Sequence, residues 1–85
     1  MTRIERIEQA LRQAFPDAQL QIEDESHLHA GHAGAATGRG HFRLRIVSSA
    51  FAGLMPIARH RAVYAALGGL MQTEIHALSI DARLP

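Results

Sequence analysis

The chain has 85 residues, enough for one domain and too few for two, so any functional site must be built on one small core or completed by a partner. Its composition, 47% hydrophobic and 20% charged, excludes a disordered segment, and a formal net charge of +1 is a weak argument for nucleic-acid binding. The sequence has no cysteine, no apolar leader and no apolar run of membrane-spanning length, which excludes disulfides and favours a cytoplasmic protein without a membrane association.

An amphipathic helix is the first predicted element. Apolar residues recur at helical spacing with charged residues between them, at Ile4, Ile7, Leu11, Ala14 and Phe15. Thr2 and Glu5 have the spacing of a capping box. We expect the helix to end at Phe15, because Pro16 lacks an amide proton and disfavours helical angles in the residue before it.

Two strands follow, separated by a long loop. Apolar and polar residues alternate in residues 18–24 and again at Phe42, Leu44 and Ile46, as in strands with one buried face. Residues 25–40 are rich in glycine, alanine and histidine and show no such period. A loop of this length in so small a domain is typically functional or disordered.

The next predicted elements are two helical segments. Ser48 favours a short helical turn that closes near Gly53, and Pro56 is well placed as the first residue of a longer helix. Arg59 and Arg61 of that helix are expected to need water or an anion. Its predicted buried side comprises Ile57, Val63, Tyr64, Leu67, Leu70 and Met71, and Gly68-Gly69 should weaken its end.

The last predicted element is a strand over residues 75–82. Strict alternation places His76 on the same face as Leu78 and Ile80. The order α-β-β-α-α-β predicts a single α+β domain, residues 1–85, with its core in about residues 4–82 and helices packed on one face of a three-stranded sheet.

Histidine is the residue type that could carry chemistry here. Six are present, and His27, His29 and His32 fall within the long loop. Neutral imidazole binds transition metals and titrates near physiological pH, so this cluster indicates metal binding or proton sensing, although loop histidines without a ligand role are equally compatible with the spacing. His76 on an apolar face needs a polar partner or a metal, and a hydrogen-bonded core histidine is the alternative. His41 and His60 are expected to be structural.

No catalytic set is recognisable. The sequence has no cysteine nucleophile, no phosphate-binding glycine motif and no H-E-x-x-H. The expectation is a protein that is not an enzyme.

Several short motifs resemble the BolA family when they are taken in order. They are Asp24-Glu25-Ser26 before the histidine loop, His41-Phe42, Val47-Ser48, Phe51-Ala52-Gly53-Leu54, Arg59-His60-Arg61-Ala62-Val63-Tyr64 and Ile75-His76-Ala77-Leu78. The resemblance extends from about Ile4 to Ala82 and implies a class II KH-like fold.

The resemblance also implies a function. Members of this family pair with monothiol glutaredoxins and share a bridging 2Fe-2S cluster, in trafficking or maturation of such clusters and in iron, redox or stress regulation. By motif, the ligands from this chain would be His76 and a loop histidine, with His29 first, His32 as its rival and His27 third. A glutaredoxin cysteine and glutathione would supply the thiolates, so the isolated chain is expected to bind no cofactor.

Three alternatives stay open. Some BolA-like proteins are described as DNA-binding transcriptional regulators, and an arginine patch of Arg43, Arg45, Arg59 and Arg61 could grip phosphate although the GXXG loop of KH modules is absent. A protein that binds zinc or copper through its loop histidines is another hypothesis. The third is a homodimer in the absence of glutaredoxin.

Overall fold

The computed structural model describes residues 1–29 and 38–85, apart from the side chains of residues 28 and 29. It shows the predicted α+β fold and element order. The helices and strands are α1 (Arg3–Ala14), β1 (Gln19–Asp24), β2 (Gly40–Val47), α2 (Pro56–Leu67), α3 (Leu70–Thr73) and β3 (Ile75–Arg83), with short 3₁₀ turns at Ser26–His29 and Ser49–Phe51. The first of these turns lies at the start of the segment that the sequence predicts to be entirely loop.

The predicted capping box starts α1. The amide of Glu5 donates to Thr2 Oγ1 and the amide of Thr2 donates to Glu5 Oε1, both at 3.1 Å. These bonds to Thr2 also hold the pKa of the Glu5 carboxyl below its usual value. The helix ends before Phe15, whose amide still donates to the carbonyl of Leu11.

The sheet has the order β1-β2-β3. Strand β2 is antiparallel to β1 and parallel to β3, so β3 begins at the same end of the sheet as β2. Along β2 the predicted alternation is confirmed, with Phe42, Leu44 and Ile46 at most 2% exposed. Arg43 and Arg45 between them are exposed on the other face.

Helices α1 and α2 cover the apolar face of the sheet. The buried core comprises Ile7, Leu11, Phe15, Ala18, Phe42, Leu44, Ile46, Phe51, Val63, Leu67 and Ile75. Phe15 and Phe51 meet with ring centroids 5.3 Å apart. Within residues 1–29 and 38–85, no helix is long and apolar enough to cross a membrane.

The turn between β2 and α2 is fastened to the end of α1. As predicted, Ser48 caps it, since its hydroxyl accepts from the amide of Ala50 at 3.1 Å. The carboxylate of Asp17 accepts three bonds, from Ser48 Oγ at 2.7 Å, Ser49 N at 2.8 Å and Ser49 Oγ at 2.7 Å. These bonds lower the pKa of the Asp17 carboxyl to about 2, and the bond from the Ser48 hydroxyl has the largest effect.

The buried side of α2 differs from the prediction. Val63 and Leu67 are buried, but Ile57 is 62% and Tyr64 42% exposed. The inward positions follow the i, i+4, i+8 row through Arg59, Val63 and Leu67, so Ile57 and Tyr64 lie outside it. The helix stops at Leu67, and Gly68 adopts a positive φ of 52°. Leu70 and Met71, which were predicted for the same helix, therefore lie in the separate helix α3.

Arg59 corrects a second prediction about α2. Its guanidinium is not left for water or an anion. Instead Nε donates to the carbonyl of Leu54 at 2.9 Å and Nη1 donates to the carbonyl of Ala82 at 3.2 Å. The side chain therefore ties the start of α2 to the end of β3.

Candidate functional site

The beginning of the long loop is held against β2. Ser26 N donates to Asp24 Oδ1 at 2.9 Å, which forms a local turn. Hydrogen bonds from the side chain and the backbone of Ser26 lower the pKa of the Asp24 carboxyl. The amide of His41 donates to Ser26 Oγ at 3.1 Å, and the amide of Glu25 donates to the carbonyl of His41 at 2.8 Å. Three hydrogen bonds thus fix the point at which the chain leaves the sheet.

The end of the loop is fixed to α1 and α3. Arg3 Nη2 donates to the carbonyl of Gly38, and the amide of Gly40 donates to the carbonyl of Glu74 at 2.9 Å. Glu74 in turn pairs with Arg3 Nε at 2.8 Å and with Arg6 at 2.5 Å. Both ends of the loop are therefore anchored at one end of the sheet.

His76 lies at that same end, at an irregularity of β3. Ile75 pairs with Gly40 and Ala77 with His41, so His76 is the additional residue of a β-bulge. The prediction that His76 shares the apolar face of Leu78 was wrong, because the bulge breaks the alternation. Ile75 takes the buried position at 0% exposure, and His76 is exposed.

Two of the side chains that the structure describes contact the His76 ring. The ring of His41 lies with its centroid 5.2 Å away at an interplanar angle of 44°. Arg39 Nη2 is 3.3 Å from His76 Nδ1. The sequence motifs assigned neither residue to the site. Arg39 precedes β2 and His41 lies at its start, and β2 pairs in parallel with the strand that carries His76. That pairing is the feature that could have indicated both residues.

The predicted loop ligands are only partly within the described structure. His27 is exposed in the 3₁₀ turn. The side chain of His29 and the whole of His32 lie outside the described residues, so their assignment stays a prediction. Among the side chains that the structure describes, which do not include that of His29, no three histidine, aspartate or glutamate residues are grouped so that they could hold a metal ion.

These observations fit a metal site that a second molecule completes. The described residues place the exposed imidazole of His76 next to the anchored ends of a histidine-containing loop. The chain has no cysteine with which to complete an iron-sulfur ligand set.

The four arginines of the alternative site are not brought together. Arg43 and Arg45 project from the open face of β2, where they pair with Glu25 at 3.3 Å and Asp81 at 3.5 Å. Arg59 and Arg61 lie on α2, which covers the opposite face. Arg61 is exposed, and within the described part of the chain no hydrogen bond or ion pair engages it.

Known proteins resemble this chain over its whole length. The model of a family described as BolA-like protein matches residues 11–85. A Sinorhizobium protein described as an uncharacterized protein in the cobS 5′ region is 42% identical over 87 residues, which cover 100% of this chain and 94% of that protein. The DNA-binding transcriptional regulator BolA of Escherichia coli strain K12 is 40% identical over 76 residues, 89% of this chain and 70% of that protein. Among solved structures, the BolA domain of SufE1 from Arabidopsis thaliana aligns with a TM-score of 0.84 and 39% identity, covering 100% of this chain and 94% of that one.

Other relatives are longer than this chain. It spans 23% of SufE-like protein 1 and 54% of BOLA1 from Arabidopsis thaliana, and 53% of BolA-like protein 1 from Bos taurus. The matching region occurs in these proteins as one part of a larger polypeptide.

Proposed function

Because the chain belongs to the BolA-like protein family, we propose that it is a non-enzymatic partner of a monothiol glutaredoxin, with which it shares a bridging 2Fe-2S cluster. The observation that carries the proposal is the convergence of His76 and both anchors of the histidine loop at one end of the sheet. Its relatives, among them a BolA domain joined to a SufE-like protein, are consistent with a role related to iron-sulfur clusters.

The ligand count supports a shared cluster. A 2Fe-2S cluster takes four ligands besides its bridging sulfides, and two histidines on one iron are compatible with two thiolates on the other. This chain would hold one iron through His76 and a loop histidine, while a glutaredoxin cysteine and a glutathione thiolate hold the second. When bound, the cluster supplies a group that can be passed to a client or can report iron and redox state.

The anchors explain why a loop can provide a ligand. A metal ligand has to return to the same place at each binding event. The hydrogen bonds from the His41 amide to Ser26 Oγ and from the Gly40 amide to the Glu74 carbonyl fix both ends of the loop relative to His76. His29 ends the 3₁₀ turn that follows the first anchor, so it remains the first choice, ahead of His32 and then His27.

The decisive experiment is a titration with cluster-loaded monothiol glutaredoxin and glutathione, followed by visible absorption and circular dichroism. The wild type should form a one-to-one complex with an altered spectrum, and His76→Ala should abolish that change. His29→Ala and His32→Ala identify the loop ligand. His60→Ala is the matched control, since His60 is exposed on α2, away from the loop anchors, and its loss should change nothing. Absence of a complex with the wild type would remove the basis of the proposal.

DNA binding is the second candidate, because the Escherichia coli relative is described as a DNA-binding transcriptional regulator. Three of the four candidate arginines already contact carboxylates or carbonyls, which leaves Arg61 as the most available cation of the set. If this function holds, Arg61→Gln weakens binding to duplex DNA and reduces the slope of log affinity against log salt by about 1. An unchanged slope argues against a contact between Arg61 and phosphate.

A further inference from the structure

Arg39 connects the end of the loop to two parts of the fold. Its Nη1 donates to the carbonyl of Met71 at 3.2 Å, within the short helix α3. Its Nη2 lies 3.3 Å from Nδ1 of His76. A guanidinium has only donors, so in this contact the lone pair of Nδ1 must accept the hydrogen bond.

That bond determines the state of the whole ring. When Nδ1 accepts, the proton of the neutral imidazole resides on Nε2. Neither nitrogen then offers a free lone pair, because one is engaged by Arg39 and the other carries hydrogen.

A metal requires one of those lone pairs. Binding at Nδ1 displaces the Arg39 donor directly. Binding at Nε2 moves the proton to Nδ1, where an N–H faces the N–H of Arg39, and the two donors repel each other. In both cases Arg39 has to release His76.

We propose that Arg39 is a positioning residue that acts as a latch: it keeps both nitrogens of His76 unavailable to a metal until its Nη2 withdraws. The bond from Nη1 to the Met71 carbonyl provides the fixed end from which Nη2 can move. Contact with the ring of His41 limits the movement of His76 itself. Where the metal in question is the iron of the shared cluster, this proposal rests on the proposed function.

The first test is the reaction of His76 with diethyl pyrocarbonate, measured by mass spectrometry at about pH 7, because this electrophile also needs a free imidazole lone pair. Arg39→Met removes the donor and keeps a side chain of similar length. The loss of one ordinary hydrogen bond predicts that His76 reacts roughly 3- to 10-fold faster. The reaction of exposed His60 in the same molecule is the internal reference.

The matched control is Arg59→Met. It also removes a guanidinium from two backbone carbonyls, those of Leu54 and Ala82, but at the other end of β3. The rate at His76 should then stay at the wild-type value. Equal rates at His76 in the wild type and in folded Arg39→Met overturn the latch. Should Arg39→Met fail to fold, Arg39→Leu serves instead, since it also removes every donor of the side chain.

The second test is nitrogen-15 NMR of the histidine rings at about pH 8, where ordinary imidazoles are neutral. The Nδ1 resonance of His76 should change position in Arg39→Met and not in Arg59→Met, a change that a general loss of stability does not produce. An Nδ1 resonance that stays in place contradicts the proposal.

The cluster titration separates the two proposals. If glutaredoxin delivers a cluster, Arg39→Met should form the complex roughly 3- to 10-fold more tightly than the wild type. Weaker or equal binding by a folded variant overturns the latch. If neither the wild type nor the variant binds while His76 reactivity still rises, the proposed function fails and the control of His76 by Arg39 stands.

Discussion

Gly40 is the position at which an added methyl group tests the loop anchor most directly. A Cβ built there meets Phe42 Cε2 at 2.7 Å, Phe42 Cζ at 2.8 Å and Ser26 Oγ at 2.8 Å. Phe42 is only 2% exposed and has no room to withdraw. Ser26 holds the amide of His41, so moving its hydroxyl breaks the bond that fixes the start of the loop.

The cost of Gly40→Ala follows from this overpacking. Forcing one methyl group into a closed site typically costs about 1–3 kcal/mol. For a domain of this size, a loss of about 2 kcal/mol lowers Tm by roughly 8–16 °C. Urea denaturation with linear extrapolation measures the free energy of unfolding. In the cluster titration, the variant should bind cluster-loaded glutaredoxin more weakly than the wild type, because the start of the loop is displaced.

Gly69→Ala is the matched control and should change stability in the opposite direction. Gly69 has ordinary helical angles, φ −62° and ψ −17°, and an added Cβ meets no atom within 4 Å. Alanine at such a position raises stability by about 0.4–1 kcal/mol, because it restricts the unfolded chain. If Gly40→Ala is as stable as the wild type, the close packing of Gly40 against Phe42 and Ser26 is refuted.

Three further predictions concern the core and the charged contacts. Leu44→Ala, at a position with 0% exposure, should cost about 2–5 kcal/mol in urea denaturation, and a loss below about 1 kcal/mol would contradict the assigned core. The folded pKa of Asp17 is about 2 against an ordinary 3.8, so its ionised form stabilises the fold above about pH 3.8 and this contribution is lost as the pH falls towards 2. The stability difference between the wild type and Asp17→Asn should therefore shrink over that window, and a difference independent of pH refutes the assignment. Glu74→Gln breaks the pairs with Arg3 and Arg6 and should lower Tm at low salt, with a smaller loss at about 1 M salt; equal losses would show that the ion pairs are not responsible.

Local patterns predicted much of this fold. The capping box of Thr2 and Glu5, the alternation along β2, the serine cap at Ser48 and the start of α2 at Pro56 were all confirmed. Each depends on interactions among residues close in sequence, or on a period that the burial of one face imposes. The loop ends were predicted as loop. Apart from the local bond between Ser26 and Asp24, their anchors join residues distant in sequence and have no local pattern.

The environment of His76 could not be predicted for a related reason. Parity along a strand assumes regular pairing, and the bulge between Gly40 and His41 is a property of two strands together. It exchanges the positions expected for Ile75 and His76. The identification of His76 as a candidate came from residue type and resemblance, whereas its exposure and its contact with Arg39 came only from the structure.

The error on α2 has a different origin. Hydrophobicity alone selected Ile57 and Tyr64 for the core, while the packed row contains Arg59. An arginine can occupy such a position when backbone carbonyls accept its donors and its aliphatic stem lies along the core. A count of apolar residues does not detect this arrangement.

The parallel pairing of β2 with β3 also determines when His76 meets the end of the loop during synthesis of the chain. Arg39 and His76 are 37 residues apart, and they meet only after the last strand has docked beside β2. Contacts between such distant residues form late, because the entropy of closing the intervening segment must be overcome first. A nascent polypeptide that has emerged only as far as α2 already contains its loop histidines but does not yet contain His76. If His76 is a metal ligand, as proposed, both the ligand and the arginine that contacts it are in place only in molecules that have finished folding.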